Sequence, residues 1–511
     1  LNFSLNKFIL LSIVAVFSIG CVIRAVPTYL NYPYPIGYDS INYYLPFLYN
    51  FSENGINWTI SYPVYLFMVS LFSKFFLIDP YTSFNFINMI LYGILGVSIF
   101  FLFSRLMKIS LPQSILFSIF ILVQLSTLRM SWDLHRDLLS MIFFNSCLLL
   151  INNISKNYKI TYQSALSYVL IFCLMLITVL SDRMISVLLI VTTLVCALIF
   201  RNRYLLLITS SFIVLFIAYL INFDGISVFS MRTNLIQTLV DPIYDLDSFS
   251  IANILTVFIS LYGILIPFFI YGYLKQTSEL LPLRVPTLIA LACSFSWVIV
   301  PNYEYLVPER WVIVSGMFIS ILAVYGFSLV NASIKSRKYR LITFTVFFSF
   351  FIFYGLLYMV VPYGTIITIP AYFHDLTQFI LPISMSMNSF DSHQNKDLVY
   401  VIEWINENTI GNSLVIGSIH WRGWFALFLD QSNDFKYEEN TIDTFNLKNN
   451  SISATSESQL CNIDMSRPDS KWSSIILVSS SNDLVKSLST LQVYGSGQFN
   501  VYNISKIHCE Y

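Results

Sequence analysis

Long apolar runs recur through the first two thirds of the chain, each bounded by charged or turn residues, and they leave few folds open. A helix needs about 20 apolar residues to cross the hydrocarbon of a bilayer. The runs that approach this length are Phe8 to Val26, Phe84 to Phe103, Leu111 to Leu128, Leu138 to Ile151, Tyr162 to Leu180, Met184 to Phe200, Tyr204 to Ile221, Ile251 to Tyr273, Val285 to Val300, Trp311 to Val330 and Leu341 to Val361. They predict about eleven spans. Of the 511 residues 56% are hydrophobic and 11% charged, whereas soluble domains carry about 25% charged residues. The expected class is therefore an α-helical polytopic membrane protein. The 28 basic and 28 acidic residues balance, so no basic surface for nucleic acid is expected. Only 5 His are present, which argues against a His-rich metal centre.

The run after Lys7 lacks a small-x-small cleavage site and further spans follow it, so it is read as a retained first helix. Ser61 to Ile78, with Pro63 at its start and Lys74 inside, is the ambiguous stretch. If it crossed, Arg105 and Lys108 would face away from Lys7, Lys156, Lys159, Arg201, Arg203, Lys275, Arg284, Lys335, Arg337, Lys338 and Arg340. If it lies along the outer surface, every one of these falls on one side, which the positive-inside rule makes cytoplasmic. The second reading gives a cell-membrane protein with its N-terminus inside. Asp39, Asp79, Asp133, Asp137, Asp182, Glu304 and Glu309 then come out on the external side and none lies mid-span. Transporters place ionisable groups near the bilayer midplane, so chemistry at the outer face fits better.

After residue 362 the composition turns polar. Asp397 to Asn408 has helical spacing, Ser413 to Ile416 and Trp472 to Val478 read as strands, Asn482 to Leu488 as a helix, and Phe499 to Ile504 as a strand after a turn at Tyr494 to Gly497. The expected division is a transmembrane domain at 1–362, with external loops near 27–83 and 129–137, and a small extracytoplasmic α/β domain at 363–511. Cys461 and Cys509 are the two cysteines of the polar region, allowing at most one disulfide there.

Three external stretches carry candidate chemistry. In Pro35 to Tyr44, Asp39 is a carboxylate among aromatics, and an acid so close to hydrocarbon is costly unless it is wet, paired or used. It reads either as a base or as an interfacial acid within an aromatic belt that includes Tyr43. In Arg129 to Asp137, Asp133 and Asp137 would share a face if both lay in the first turn of the next helix. They could hold a divalent cation or supply a base tuned by Arg136, or Asp137 could cap the helix. In Pro301 to Trp311, Arg310 could grip phosphate oxygens bidentately or pair with Glu309. Asp182-Arg183 reads as an ion pair at the edge of the same cavity. His420-Trp421-Arg422-Gly423-Trp424 offers two Trp that pack or anchor. GxSxG, P-loop, HExxH and CxxC patterns are absent from the sequence.

The layout resembles the GT-C superfamily of integral membrane glycosyltransferases: one span, a long external loop with an early Asp, two spans, an external loop with a second acid, many spans, and an external C-terminal domain. Arg24-Ala25-Val26-Pro27 followed by Gly37-Tyr38-Asp39 is similar to the first-loop pattern of Arg, Pro, acid and aromatics. Ser61-Tyr62-Pro63 is similar to the start of the next external element, Trp132-Asp133 to the second-loop acid, Glu304 to a further acid of oligosaccharyltransferases, and Arg310 to the Arg that holds lipid-linked phosphate. The resemblance implies catalytic roles for Asp39 and Asp133, either as base or as ligands of a divalent cation such as Mg or Mn. It implies donor-phosphate binding by Arg310 and Arg24, with His135, Asp137, Asp182, Arg183, Glu304 and Tyr43 as accessory residues. Two departures narrow it. Ile419 to Trp424 lacks the Asp of the sequon-reading Trp-Trp-Asp-Tyr-Gly motif, and the second loop reads Asp-Leu-His-Arg-Asp where relatives carry Asp-x-Asp/Glu. The expected activity is inverting transfer of a sugar from a polyprenyl-phosphate donor to a lipid, glycan or protein acceptor at the extracytoplasmic face. The alternatives are an oligosaccharyltransferase-like reaction from a lipid diphosphate, or a non-catalytic surface-assembly protein derived from the same fold.

Overall fold

The computed structural model describes residues 7–37, 39–55, 62–155, 162–223, 254–255, 258–259, 261–275, 280–298, 308–360, 392–409, 413–416, 421–429, 474–479, 492–497 and 499–503. They fall into two compact units. The first takes residues 1–30, 50–361 and 368–386, and the second takes 31–49, 362–367 and 387–511. The division departs from a single cut at 362: residues 31–49 group with the C-terminal region and 368–386 with the first unit.

The first unit is a helical bundle. In chain order come α1 (Lys7–Asn31), α2 (Leu45–Asn54), α3 (Val64–Phe76), α4 (Pro80–Phe101), α5 (Leu111–Leu122), α6 (Leu125–Trp132), α7 (His135–Ser155), α8 (Tyr162–Ser181), α9 (Arg183–Ile199), α10 (Arg203–Phe223), α11 (Ile266–Leu274), α12 (Leu281–Ser294), α13 (Pro308–Ser333) and α14 (Arg337–Val360). Among the described residues seven helices are long and apolar enough to cross a membrane, or eight if α5 and α6 form one bent span. The protein is a polytopic helical membrane protein. The count is lower than the eleven runs suggest partly because the run at Val285 becomes the 14-residue α12 and the run at Met184 the 17-residue α9. Most of the run at Ser61 becomes α3, whose 13 residues are too few to cross. Tyr65, Leu66, Val69, Ser70 and Ser73 form its buried stripe, at the spacing of one helical face.

Capping explains where several helices start. Asp79 precedes α4 and accepts from the amides of Tyr81 (2.9 Å) and Thr82 (3.1 Å), with Pro80 in the first position, where its missing N–H costs nothing. The bend of 61° between α5 and α6 frees backbone groups that lipid cannot satisfy. Tyr92 of α4 donates its hydroxyl to the Leu122 carbonyl, and the Gln124 side chain donates to the Phe120 carbonyl at 3.0 Å.

Helix α13 is the axis of the bundle, with 83% of its apolar window buried against 17% for α14. It meets α11 through facing glycines. A methyl group on Gly326 would lie 2.7 Å from the Gly272 amide nitrogen and closer still to the Phe268 carbonyl, the small-residue contact that lets membrane helices approach closely. Gly326→Leu is expected to push the two helices apart at a cost of about 3 kcal/mol or more, because the collision is with backbone. Thermal unfolding of the detergent-solubilised protein reads this as a lowered midpoint.

The second unit is an α/β sandwich. Its sheet has the order β1 (Ser413–Ile416), β2 (Ser474–Ser479), β4 (Phe499–Asn503), β3 (Gln492–Ser496). The β1–β2 pair is parallel, with Ser413 opposite Ser474; β2–β4 and β4–β3 are antiparallel. Helix α15 (Ser392–Asn408) turns Leu398, Val401, Ile402 and Ile405 onto a core shared with Val415, Ile476, Val478, Phe499 and Val501. The same core takes Trp421 and Trp424 at the start of α16 (Arg422–Phe428), and Ile41 from the first loop. The two Trp therefore pack. The predicted helix at Asn482 and the cysteine pair lie outside the described residues.

Candidate functional site

Charged groups in the bundle collect where α6 ends and α7, α9 and α13 begin. The expected external loop at 129–137 is not a solvated loop. Arg129 to Trp132 are the last turn of α6, and every residue from Arg129 to His135 is buried. Asp133 is the C-cap of α6, and not part of α7's first turn. Its carboxylate turns back one helical turn to form an ion pair with Arg129, so the predicted Asp133–Asp137 face is replaced by an Arg129–Asp133 pair at i, i+4. Sequence reading gave Arg129 no role, although that spacing was visible.

Arg24, fully buried on α1, braces the same junction. Its Nε donates to the Ser131 carbonyl at 3.0 Å, and another guanidinium nitrogen donates to Thr28. A buried guanidinium spending two donors on the fold holds the α6–α7 turn in place and leaves fewer donors for a ligand. His135 stacks on Tyr65 at 5.5 Å between ring centroids and meets Phe84 edge-on at 4.8 Å. Tyr65 in turn donates to Asn88 at 2.7 Å. Arg136 lies over the ring of Tyr62 at 5.4 Å, a cation–π contact.

Asp137 and Asp182 are brought together from positions 45 residues apart. Asp182 lies within electrostatic reach of Asp137, as do Arg310 and Arg136. Asp182 is also the N-cap of α9, accepting from the Ile185 amide at 2.9 Å, which fixes its direction. Arg183, the first residue of α9, is exposed. The linked groups thus comprise Arg24, Arg129, Arg136 and Arg310 against Asp133, Asp137 and Asp182. A guanidinium in such a cluster can grip the oxygens of an anion bidentately.

Asp39 and Tyr43 belong to the other unit. Asp39 is the N-cap of a π-helical turn, Ser40–Tyr44, and Tyr43 packs edge-on against Tyr44 and Phe47 at 5.0 and 4.9 Å. Glu304 lies outside the described residues. Among the described residues there is no group of three His, Cys, Asp or Glu able to hold a metal ion, and Asp133 already faces Arg129.

Breaking the Arg129–Asp133 pair should be costly. Arg129→Leu is expected to destabilise the bundle by about 3–5 kcal/mol, because it strands a buried carboxylate. The double variant with Asp133→Leu should recover much of that loss; a thermal-unfolding double-mutant cycle in detergent measures it.

The polytopic bundle with its bent helix pair, and the α/β unit, have counterparts among solved structures. ArnT from Cupriavidus metallidurans in the apo state superposes with a TM-score of 0.53 at 12% identity, covering 96% of this chain and 97% of that one. The same protein bound to Undecaprenyl phosphate gives 0.52 at 10% identity, covering 98% and 99%. The Archaeoglobus fulgidus oligosaccharyltransferase in complex with Zn and sulfate gives 0.47 at 13% identity, covering 90% and 67%. No protein-family model matches the chain, and no curated protein matches it by sequence. The chain shares the fold of ArnT.

Proposed function

We propose that the protein is an inverting membrane glycosyltransferase that moves a sugar from a polyprenyl-phosphate donor to a hydroxyl acceptor at the extracytoplasmic face. The observation that carries this is the buried ionic cluster at the starts of α7, α9 and α13, rich in guanidinium, in a chain only 11% charged. Charge at this depth is expensive and is retained where it is used. The GT-C fold adds support, since ArnT has been captured with undecaprenyl phosphate.

In this reading Arg310 holds the donor phosphate, with Arg136 beside it and Arg24 fixing the turn that carries them. A base takes the proton of the acceptor hydroxyl, the role that the sequence pattern around Asp39 proposes for that residue. The acceptor oxygen bonds to the anomeric carbon, the bond from that carbon to the phosphate oxygen breaks, and the electron pair stays on the phosphate facing Arg310. Asp133 keeps Arg129 neutralised, while Asp137 and Asp182 orient Arg310. Arg105, Lys108, Arg201, Arg203, Lys275, Arg337, Lys338 and Arg340 lie at the opposite helix ends from this cluster, which by the positive-inside rule supports the reading of that side as cytoplasmic and the cluster side as external. The domain cut follows the two units, with the α/β unit extracytoplasmic.

The test is sugar transfer by the full chain in detergent from a panel of radiolabelled polyprenyl-phosphate sugars. Turnover with one donor supports the reading. Failure with every monophosphate donor, together with turnover from a lipid diphosphate sugar, replaces it with the oligosaccharyltransferase-like reaction. No turnover from either class, in protein that unfolds cooperatively, removes the transferase reading.

A further inference from the structure

The segment bearing Asp39 is built into the C-terminal unit, 381 residues away in sequence from its partner there. The amide of Gly423 donates to Oδ1 of Asn42 at 2.7 Å. A methyl group on Gly423 would lie 2.7 Å from the Asn42 Cα and closer still to the Ile41 carbonyl, so the backbone of α16 rests directly on the π-helical turn that Asp39 caps. Gly423 has no positive φ to explain its identity; the close approach does. On the flanks, Ile41 is 3% exposed in the same core as Trp421 and Trp424, Tyr34 packs on Trp424 at 6.3 Å, and Asn31 donates to the carbonyls of Tyr34 and Pro35, both at 3.0 Å.

An isolated five-residue π turn is a poor structure by itself, since π-helical geometry is rare and survives where surroundings over-determine it. Here the surroundings are a helix backbone pressed against it, one hydrogen bond and two Trp. We infer that the Trp421 to Trp424 start of α16 is a positioning device for Asp39, with Gly423 and Asn42 as its positioning residues. The role assigned to Asp39 rests on the proposed transferase reading; the clamp on residues 39–44 does not. This gives the C-terminal unit a function in the first loop's chemistry, beyond packing its own core.

The experiment compares Gly423→Ala, Asn42→Leu and a control, Val501→Ala, with wild type in the full chain. Val501 lies in the same core on β4 and is 0% exposed, so the control loosens that core while leaving the Gly423–Asn42 hydrogen bond and the backbone approach at Gly423 in place. Two readouts are taken: hydrogen exchange of the amides at 40–44, and the transfer rate with its pH profile and donor KM. Gly423→Ala is expected to raise exchange at 40–44 by about tenfold or more, leaving the helices of the bundle unchanged. It should lower kcat by about a hundredfold, the scale for a group misplaced by about 1 Å, with donor KM held within twofold and the acidic limb of the rate profile displaced. Asn42→Leu should do the same more mildly, and Val501→Ala should lower the unfolding midpoint and leave kcat and the profile alone. Unchanged exchange at 40–44 in both Gly423→Ala and Asn42→Leu overturns the inference whatever the activity. Raised exchange with wild-type kcat and profile overturns the positioning role and leaves the transferase reading standing. If the wild type turns over no donor, the transferase reading fails by itself, and exchange alone decides whether the clamp exists.

Discussion

Asp39→Asn is expected to lower sugar transfer by about 10²–10⁴-fold, the range a positioned general base contributes. The amide keeps the size of the carboxyl and loses the ability to accept a full proton, so the fall should appear in kcat with donor KM little changed. That pattern marks an interaction made in the transition state alone. A steady-state titration of donor at fixed acceptor separates the two parameters. Equal activity in Asp39→Asn would leave Asp39 as an interfacial acid among tyrosines, the alternative that its sequence context also allows.

The second large effect is expected at Arg310. Arg310→Ala removes the cation proposed to receive the leaving phosphate, and loss of one such donor costs about 10²–10³-fold in turnover. Arg310→Lys should recover only part of it, because an ammonium supplies charge without the planar pair of donors. Arg310→Ala also removes a cation from beside Asp137, so a structural loss must be separated from a catalytic one. Donor binding measured by isothermal titration, beside unfolding midpoints for both variants, does so: weakened binding at an unchanged midpoint assigns the effect to the phosphate.

Much of the bundle was legible because one physical rule, about 20 apolar residues per crossing, acts locally on the chain. Runs such as Tyr162 to Leu180 and Tyr204 to Ile221 became α8 and α10 almost at their predicted ends. Ser413 to Ile416 and the strand from Phe499 were equally local, set by short β-branched or aromatic runs between turns. The site was less legible. A charged stretch between apolar runs reads as a solvated loop, yet Arg129 to His135 is buried, because Arg24 from α1 satisfies the carbonyl at its bend. Pairing Asp133 forward with Asp137 assumed that both sat in one helix; the break at Asp133 turned the carboxylate back to Arg129 instead. Asp182 seemed paired with its neighbour Arg183, whereas its carboxylate caps α9 through the Ile185 amide. The seat of Asp39 could not be read at all, since Gly423 and the two Trp beside it look like surface features until the chain from Asn31 to Tyr49 is laid against them.

These points share a cause. Span positions follow from composition over a window, while the site follows from contacts between residues that no local window contains. Charge inside an apolar protein narrows the options, because each buried guanidinium or carboxylate must find a partner. The proposed anionic lipid donor would add its phosphate to this network of guanidiniums and carboxyls.

Turnover by the wild-type protein on matched monophosphate and diphosphate donors tests that account most directly. Purified full-length protein would be given one sugar on a polyprenyl phosphate and the same sugar on a polyprenyl diphosphate, with released lipid phosphate and glycosylated acceptor quantified together. The account predicts transfer from the monophosphate with one lipid phosphate released per sugar transferred, lost in Asp39→Asn. Transfer from the diphosphate alone, or no transfer from either by protein that unfolds cooperatively, would contradict it.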